Sequence, residues 1–196
     1  LLWDWLRARG AREAQYAVTL LAGTALFYIA AGAVMTDMTL ALGLLLVLRG
    51  FWNALHGARR EGYAVFLGLA IGLLAKGPIA LVLAGLPLAG WTLLTRNGRA
   101  LWRGLPWRSG LPLLLVLVLP WYVAAELKTP GFLDYFLVGE HWQRFTVAGW
   151  DGDRYGSAHD YPRGSIWLFA LIACLPWVLL LPRLLRAPQP AAAIDP

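Results

Sequence analysis

The sequence is short of charge and almost without cysteine. Only 14% of its 196 residues are charged and 59% are hydrophobic, whereas a soluble domain of this length needs more polar surface. With a mean hydropathy of +0.59, the composition belongs to the membrane class. The single cysteine, Cys174, lies inside an apolar run, so no disulfide can form within the chain. There is no P-loop, no dinucleotide fingerprint and no Ser/His/Asp ordering, which leaves nucleotide-binding and triad-hydrolase functions without a motif. No internal repeat is visible either. The sequence starts at Leu1 without a signal peptide and ends in a Pro/Ala-rich tail. The expectation is a fragment of a longer membrane protein.

What is present is a series of apolar runs with charges at their ends. Six runs cover residues 16–35, 40–55, 63–75, 79–94, 111–125 and 166–181. Twenty uncharged residues suffice to cross a core of about 30 Å at about 1.5 Å per residue. The expected class is all-α and polytopic, with about six spans in one membrane domain and one long outer loop. Residues 1–15 are expected to be cytoplasmic, 16–125 to hold five spans, 126–165 to form the outer loop, 166–182 to span again, and 183–196 to return to the cytoplasm. The net charge of +6 invites a nucleic-acid reading until the charges are placed. With the N-terminus inside, 11 of the 17 basic residues are cytoplasmic and 7 of the 11 acids face outward. The charges therefore mark topology, and no nucleic-acid partner is expected. Trp52, Trp91, Trp102, Trp107, Trp121, Trp142 and Trp177 lie near run ends, as an interfacial aromatic belt requires.

The run at 63–75 is too short to span, covering about 20 Å as a helix. It stops at Lys76-Gly77-Pro78. A helix starting at Pro78 would offer free N–H groups and partial positive charge beside Lys76, a phosphate site; otherwise the lysine snorkels to headgroups. Asp37, between Thr36 and Thr39, is either the N-cap of the next span or an outward acid for a sugar hydroxyl, an amine or a metal. Glu140, His141 and Arg144 allow an i,i+4 salt bridge on a loop helix, or a divalent metal on His141 and Glu140 with Arg144 on a phosphate. His159-Asp160 could join them. Asp151, Asp153 and Asp160 lack the closing acid of a calcium-binding EF-hand, and a solvated loop is the better reading.

The succession TDMTLAL, LLAKGPIAL, LPWYVAAE, GEHWQRF and AHDYP resembles the bacterial membrane glycosyltransferases of the protein O-mannosyltransferase superfamily, among them enzymes that move aminoarabinose from undecaprenyl phosphate to lipid A. The resemblance covers most of residues 16–181, and the EHxxRF block is its most specific part. It implies a multi-helix GT-C-like membrane fold in the cytoplasmic (inner) membrane. It also implies a polyprenyl-phosphate sugar donor, a lipid or protein acceptor on the outer face, and a divalent metal, zinc or magnesium, as a possible cofactor. By this likeness Asp37 contacts the sugar-phosphate, Lys76 and Arg144 bind the lipid phosphate, His141 with Glu140 approaches the metal, and His159 precedes the proline that opens the next span. Two departures follow. The family's outer-loop Asp-Glu pair, which includes the presumed catalytic base, has no equivalent in residues 1–15, so the chain alone is expected to be inactive. Arg163, Gly164 and Ser165 stand where the family has aromatics. A transporter or flippase of lipid-linked sugars is the alternative, since it too uses intramembrane charges and broken helices.

The arginine asymmetry predicts sidedness. In a background lacking Cys174, Gly152→Cys should react with an impermeant thiol reagent added outside and Gly98→Cys should not. The reverse labelling pattern contradicts the orientation.

Overall fold

The structure is a computed structural model that describes residues 1–33, 35–147, 150, 152, 162 and 164–186. It is helical along the apolar runs. In chain order the helices are α1 (Leu2–Leu6), α2 (Ala11–Ala22), α3 (Ala25–Gly32), α4 (Asp37–Leu55), α5 (Tyr63–Lys76), α6 (Ile79–Thr95), α7 (Gly98–Gly104), α8 (Trp107–Lys128), α9 (Arg144–Thr146), α10 (Ser165–Ala173) and α11 (Leu181–Arg186). A π-type helical segment, Asp134–Gln143, leads directly into α9. Short 3-10 turns, Arg59–Gly62 and Trp177–Leu180, precede α5 and α11. The chain divides into two compact units, Leu1–Val34 with Tyr161–Pro196, and Met35–Asp160.

The six expected runs are all helical, but they are not six straight spans. Among the described residues only Asp37–Leu55 and Trp107–Lys128 are long and apolar enough to cross a membrane unaided. The run at 16–35 is two helices, α2 and α3, bent by 65°. The bend falls at Gly23-Thr24, where the Thr24 hydroxyl donates back to the Leu20 carbonyl at 2.6 Å. The last run is likewise bent by 94°, between α10 and Trp177–Arg183. Within this first unit the Ala25 N–H donates to the Leu175 carbonyl at 2.8 Å, tying α3 to the chain after α10.

The second unit is built on α4 and α5, which share its most extensive packing. Small residues make that possible. A Cβ at Gly43 would stand 2.6 Å from the Gly68 carbonyl oxygen, and a Cβ at Gly68 would run into the Gly43 carbonyl oxygen. Gly68 and Gly72 are four apart on one face of α5, the small-xxx-small spacing by which membrane helices let their backbones meet. Around this seam Val47, Phe51, Val65, Phe66, Ala70, Leu114, Val118 and Tyr122 form the buried core. Arg49, in the apolar stretch of α4 beyond its first residue Asp37, is answered from the turn before α5, with Glu61 at 3.3 Å. A charge at membrane depth needs such a partner. The outward faces carry exposed Leu and Val, including Leu81, Leu86, Leu115, Val116 and Leu119, as a lipid-facing surface does.

Replacing Gly68 by Val should force α4 and α5 apart at a cost of about 1–3 kcal/mol and lower the unfolding temperature in detergent. Gly85→Ala, in α6 with open space at the Cβ position, should hold or raise it. Equal melting of the two variants contradicts the close-packed seam.

Candidate functional site at the break between α5 and α6

The site forms where α5 stops. Gly77 takes φ 68° and ψ −150° at its C-terminus, backbone that glycine adopts without a steric penalty. Pro78 then caps α6, whose first helical residue is Ile79, one residue later than the sequence expectation. Three contacts hold this turn, two of them from other elements. The Gly77 N–H donates to the Leu73 carbonyl at 2.9 Å, and the Tyr122 hydroxyl of α8 donates to the same oxygen at 2.9 Å. His141 Nε2 meets the Lys76 carbonyl oxygen at 3.0 Å. A side chain at Gly77 would collide with Phe136, at 2.6 Å from its ring, and approach the His141 ring at 3.0 Å. The glycine is thus required twice, by its torsion and by the π-type segment packed over it.

That segment is fixed by aromatic packing. Phe136 stacks on Phe132 at a centroid distance of 5.3 Å and meets Tyr122 at 6.0 Å and His141 at 5.0 Å. Trp121 packs edge-on against Phe132 at 5.5 Å. Glu126 anchors the approach from α8, its carboxylate accepting from the Gly131 and Leu133 N–H groups at 2.9 and 2.8 Å. The wider π-type turn carries Glu140, His141 and Arg144 to the Lys76 turn, and π segments recur at functional sites.

Between these elements lies a cavity of about 760 Å³. Its lining combines the polar side chains of Lys76, Glu140, His141, Arg144 and Thr36 with Leu74, Ile79, Trp121, Phe132, Tyr135 and Phe136. Both cations come with a carboxylate. Lys76 Nζ is 3.1 Å from Asp37, with the two side chains 35% and 42% exposed. Arg144 donates to Glu140 at 2.8 Å, and the Tyr135 hydroxyl donates to the other oxygen of that carboxylate. The four charges sum to zero. An anion entering the cavity therefore joins a paired network rather than filling a bare cationic hole. Lysine has three N–H donors and arginine five, so pairing with a single carboxylate does not exhaust either side chain.

The sequence-expected residues divide as follows. Lys76, Arg144, His141 and Glu140 line one cavity, and Asp37 reaches it through Lys76. Asp37 is the first residue of α4; Thr36 holds the N-cap position, and its side chain makes no capping hydrogen bond. The Glu140–Arg144 pair is the i,i+4 bridge that helical spacing allows. The two side chains expected at a metal, His141 and Glu140, are both engaged by protein groups. Both nitrogens of His141 face carbonyl oxygens, Nδ1 that of Phe136 at 2.6 Å and Nε2 that of Lys76 at 3.0 Å, so neither ring nitrogen is directed into the cavity. Glu140 is occupied by Tyr135 and Arg144. Among the described residues no group of three or more His, Cys, Asp or Glu side chains is placed to hold a metal ion. His159, Asp151, Asp153 and Asp160 lie outside the described residues. The sequence reading missed Tyr122 and Phe136, which set the turn from behind; the only signal was their place in the aromatic-rich segments PWY and DYF.

Fold and site together define a multi-pass helical membrane protein with paired cations around a broken helix. Residues 8–136 match the family described as dolichyl-phosphate-mannose-protein mannosyltransferase, and the chain belongs to that family. It is 31% identical over 162 residues to the undecaprenyl phosphate-alpha-4-amino-4-deoxy-L-arabinose arabinosyl transferase of an Enterobacter species, covering 76% of this chain and 26% of the relative. With the transferase of the same name from Edwardsiella ictaluri it shares 29% identity over 196 residues, 95% of this chain and 34% of the relative. Among solved structures it is similar to ArnT from Cupriavidus metallidurans bound to undecaprenyl phosphate, with a TM-score of 0.76, 28% identity, and coverage of 93% of this chain and 33% of that one. The apo structure of that protein gives a TM-score of 0.74 at 26% identity, with the same coverage. The chain thus spans about a quarter to a third of the length of these relatives.

The clamp on the Lys76 carbonyl can be tested directly. His141→Ala should destabilise the protein in detergent by about 1–3 kcal/mol, because a part-buried carbonyl loses its donor. His141→Phe keeps the ring contact with Phe136 but offers no donor and should be nearly as unstable, while His141→Gln should recover part of the loss. A phenylalanine variant as stable as the parent removes the hydrogen bonds from the account.

Proposed function

We propose that the full-length protein carrying this chain is a glycosyltransferase of the cytoplasmic (inner) membrane that uses a polyprenyl-phosphate sugar as donor and a lipid or protein acceptor on the outer face. The observation that carries the reading is the cavity at the α5–α6 break, lined by Lys76 and Arg144 together with apolar and aromatic side chains. A lipid-linked phosphate has the matching two-sided chemistry, an anion attached to a long hydrocarbon. The relatives' names supply the same donor class, undecaprenyl phosphate, and one similar structure holds that lipid.

In such a transfer an acceptor oxygen forms a bond to the anomeric carbon, the bond from that carbon to the phosphate oxygen breaks, and the acceptor's proton leaves to a base. Charge develops on the departing lipid phosphate. Donors already fixed in place lower the barrier most, since they need no reorganisation at the moment of reaction. Lys76 is held from two directions, its carbonyl by His141 and its ammonium by Asp37. Arg144 is held by Glu140. In this reading Asp37 and Glu140 orient the cations, and Asp37 also contacts the sugar-phosphate.

Lys76→Ala in the full-length protein should weaken polyprenyl-phosphate binding by about tenfold to a hundredfold, the loss of a charge-assisted hydrogen bond, while changing detergent thermal stability little. Lys76→Arg should keep part of the affinity, because charge is retained although geometry changes. An alanine variant that binds the lipid as tightly as the parent moves the phosphate site elsewhere.

A further inference from the structure

A second cavity lies at the opposite end of α5. The Lys76 site is at the C-terminal end of this 14-residue helix, so the two sites are separated by a rise of about 20 Å. This cavity, about 700 Å³, opens where the first residues of α5 and α8 come side by side. Arg59, Arg60 and Arg108 line it, and no acid does. Among the described residues none of these arginines is in an ion pair, whereas Arg49, Lys76 and Arg144 each have a carboxylate.

The rest of the wall is ordered. The Trp102 and Trp107 rings stack at 5.3 Å, and Trp107 packs edge-on against the buried Phe66 at 5.6 Å. The Tyr63 and Ser109 hydroxyls are hydrogen-bonded at 2.7 Å, joining the two helix starts. Trp107 Nε1 is buried without a hydrogen-bond partner, and a buried donor of that kind is costly to leave unmet. The first turns of α5 and α8 add the positive ends of two helix dipoles. Arginines that only mark topology need no concavity, no stacked indoles and no hydroxyl pair. By the arginine asymmetry this is the cytoplasmic end, where anionic lipid headgroups concentrate.

We propose that this cavity binds a phosphate group, presented by the headgroup of an anionic phospholipid of the cytoplasmic leaflet or by a soluble phosphate. The site is separate from the donor cavity and does not depend on the donor reading. The arginines would meet the phosphate oxygens, while the tryptophans pack against the glycerol and upper acyl region.

The test uses the purified full-length protein in mixed micelles. Phosphatidylglycerol added to phosphatidylcholine micelles should raise the unfolding temperature by about 2–4 °C. The triple variant Arg59→Gln/Arg60→Gln/Arg108→Gln should lose that rise, with binding weakened by about a hundredfold. It should melt with the parent in phosphatidylcholine alone, since these side chains are exposed. Should the triple variant fold poorly, Arg108→Gln alone is compared by native mass spectrometry for retained phosphatidylglycerol, and a reduced retention is expected. Lys76→Ala should keep the full rise, which separates this site from the donor site. If inorganic phosphate at millimolar concentration gives the same Arg-dependent rise and phosphatidylglycerol adds nothing, the source is soluble. The proposal is overturned if neither ligand shifts the parent, or if the variant responds like the parent. It is equally overturned if Arg96→Gln/Arg99→Gln/Arg103→Gln, on the same side but outside the cavity lining, abolishes the rise to the same extent.

Discussion

The hydrogen bond from His141 to the Lys76 carbonyl is the contact on which the site depends. α5 has 14 residues, too few to cross a hydrocarbon core, and the carbonyl groups of its last turn have no continuing helix to accept from. In a hydrocarbon environment such groups must be met within the protein. His141 meets that of Lys76, while Tyr122 and the Gly77 N–H meet that of Leu73. The same imidazole also faces the Phe136 carbonyl, so a single ring joins the π-type segment to the helix break. Without that join, the turn bearing Lys76 and the segment bearing Glu140 and Arg144 would have no polar link between their backbones.

The electrostatics follow from this placement. A lysine and an arginine at partial burial are expensive unless paired, and Asp37 and Glu140 pair them. Each pair alone contributes little at this exposure. Their value lies in orientation. The ammonium and guanidinium are fixed at one cavity without an excess of charge that would bind any passing anion. An amphiphilic ligand gains from the aromatic wall as well, and that wall distinguishes a lipid phosphate from a free one.

Much of this was legible in the sequence. Low charge and six apolar runs gave the membrane class, and the shortness of residues 63–75 pointed to a broken helix at Lys76-Gly77-Pro78. The four-residue spacing of Glu140 and Arg144 gave their bridge. The Gly68-x-x-x-Gly72 spacing was also there to be read, as the mark of the α4–α5 seam. Other features were not legible, for physical reasons. The partner of Lys76 is Asp37, 39 positions earlier, and only the packing of α4 on α5 brings them together. The two carbonyls that His141 faces come from its own segment and from a turn 65 residues away, a pairing no local pattern gives. The bends at Gly23-Thr24 and after α10 make broken spans of two runs that composition alone renders straight.

The most direct measurement is a structure of the full-length protein in lipid nanodiscs with polyprenyl phosphate bound. The account predicts the lipid phosphate within about 3 Å of Lys76 Nζ, the hydrocarbon along Trp121 and Phe132, and His141 still against the Lys76 carbonyl. A phosphate bound away from this cavity, with Lys76 turned out to the headgroups, would contradict it.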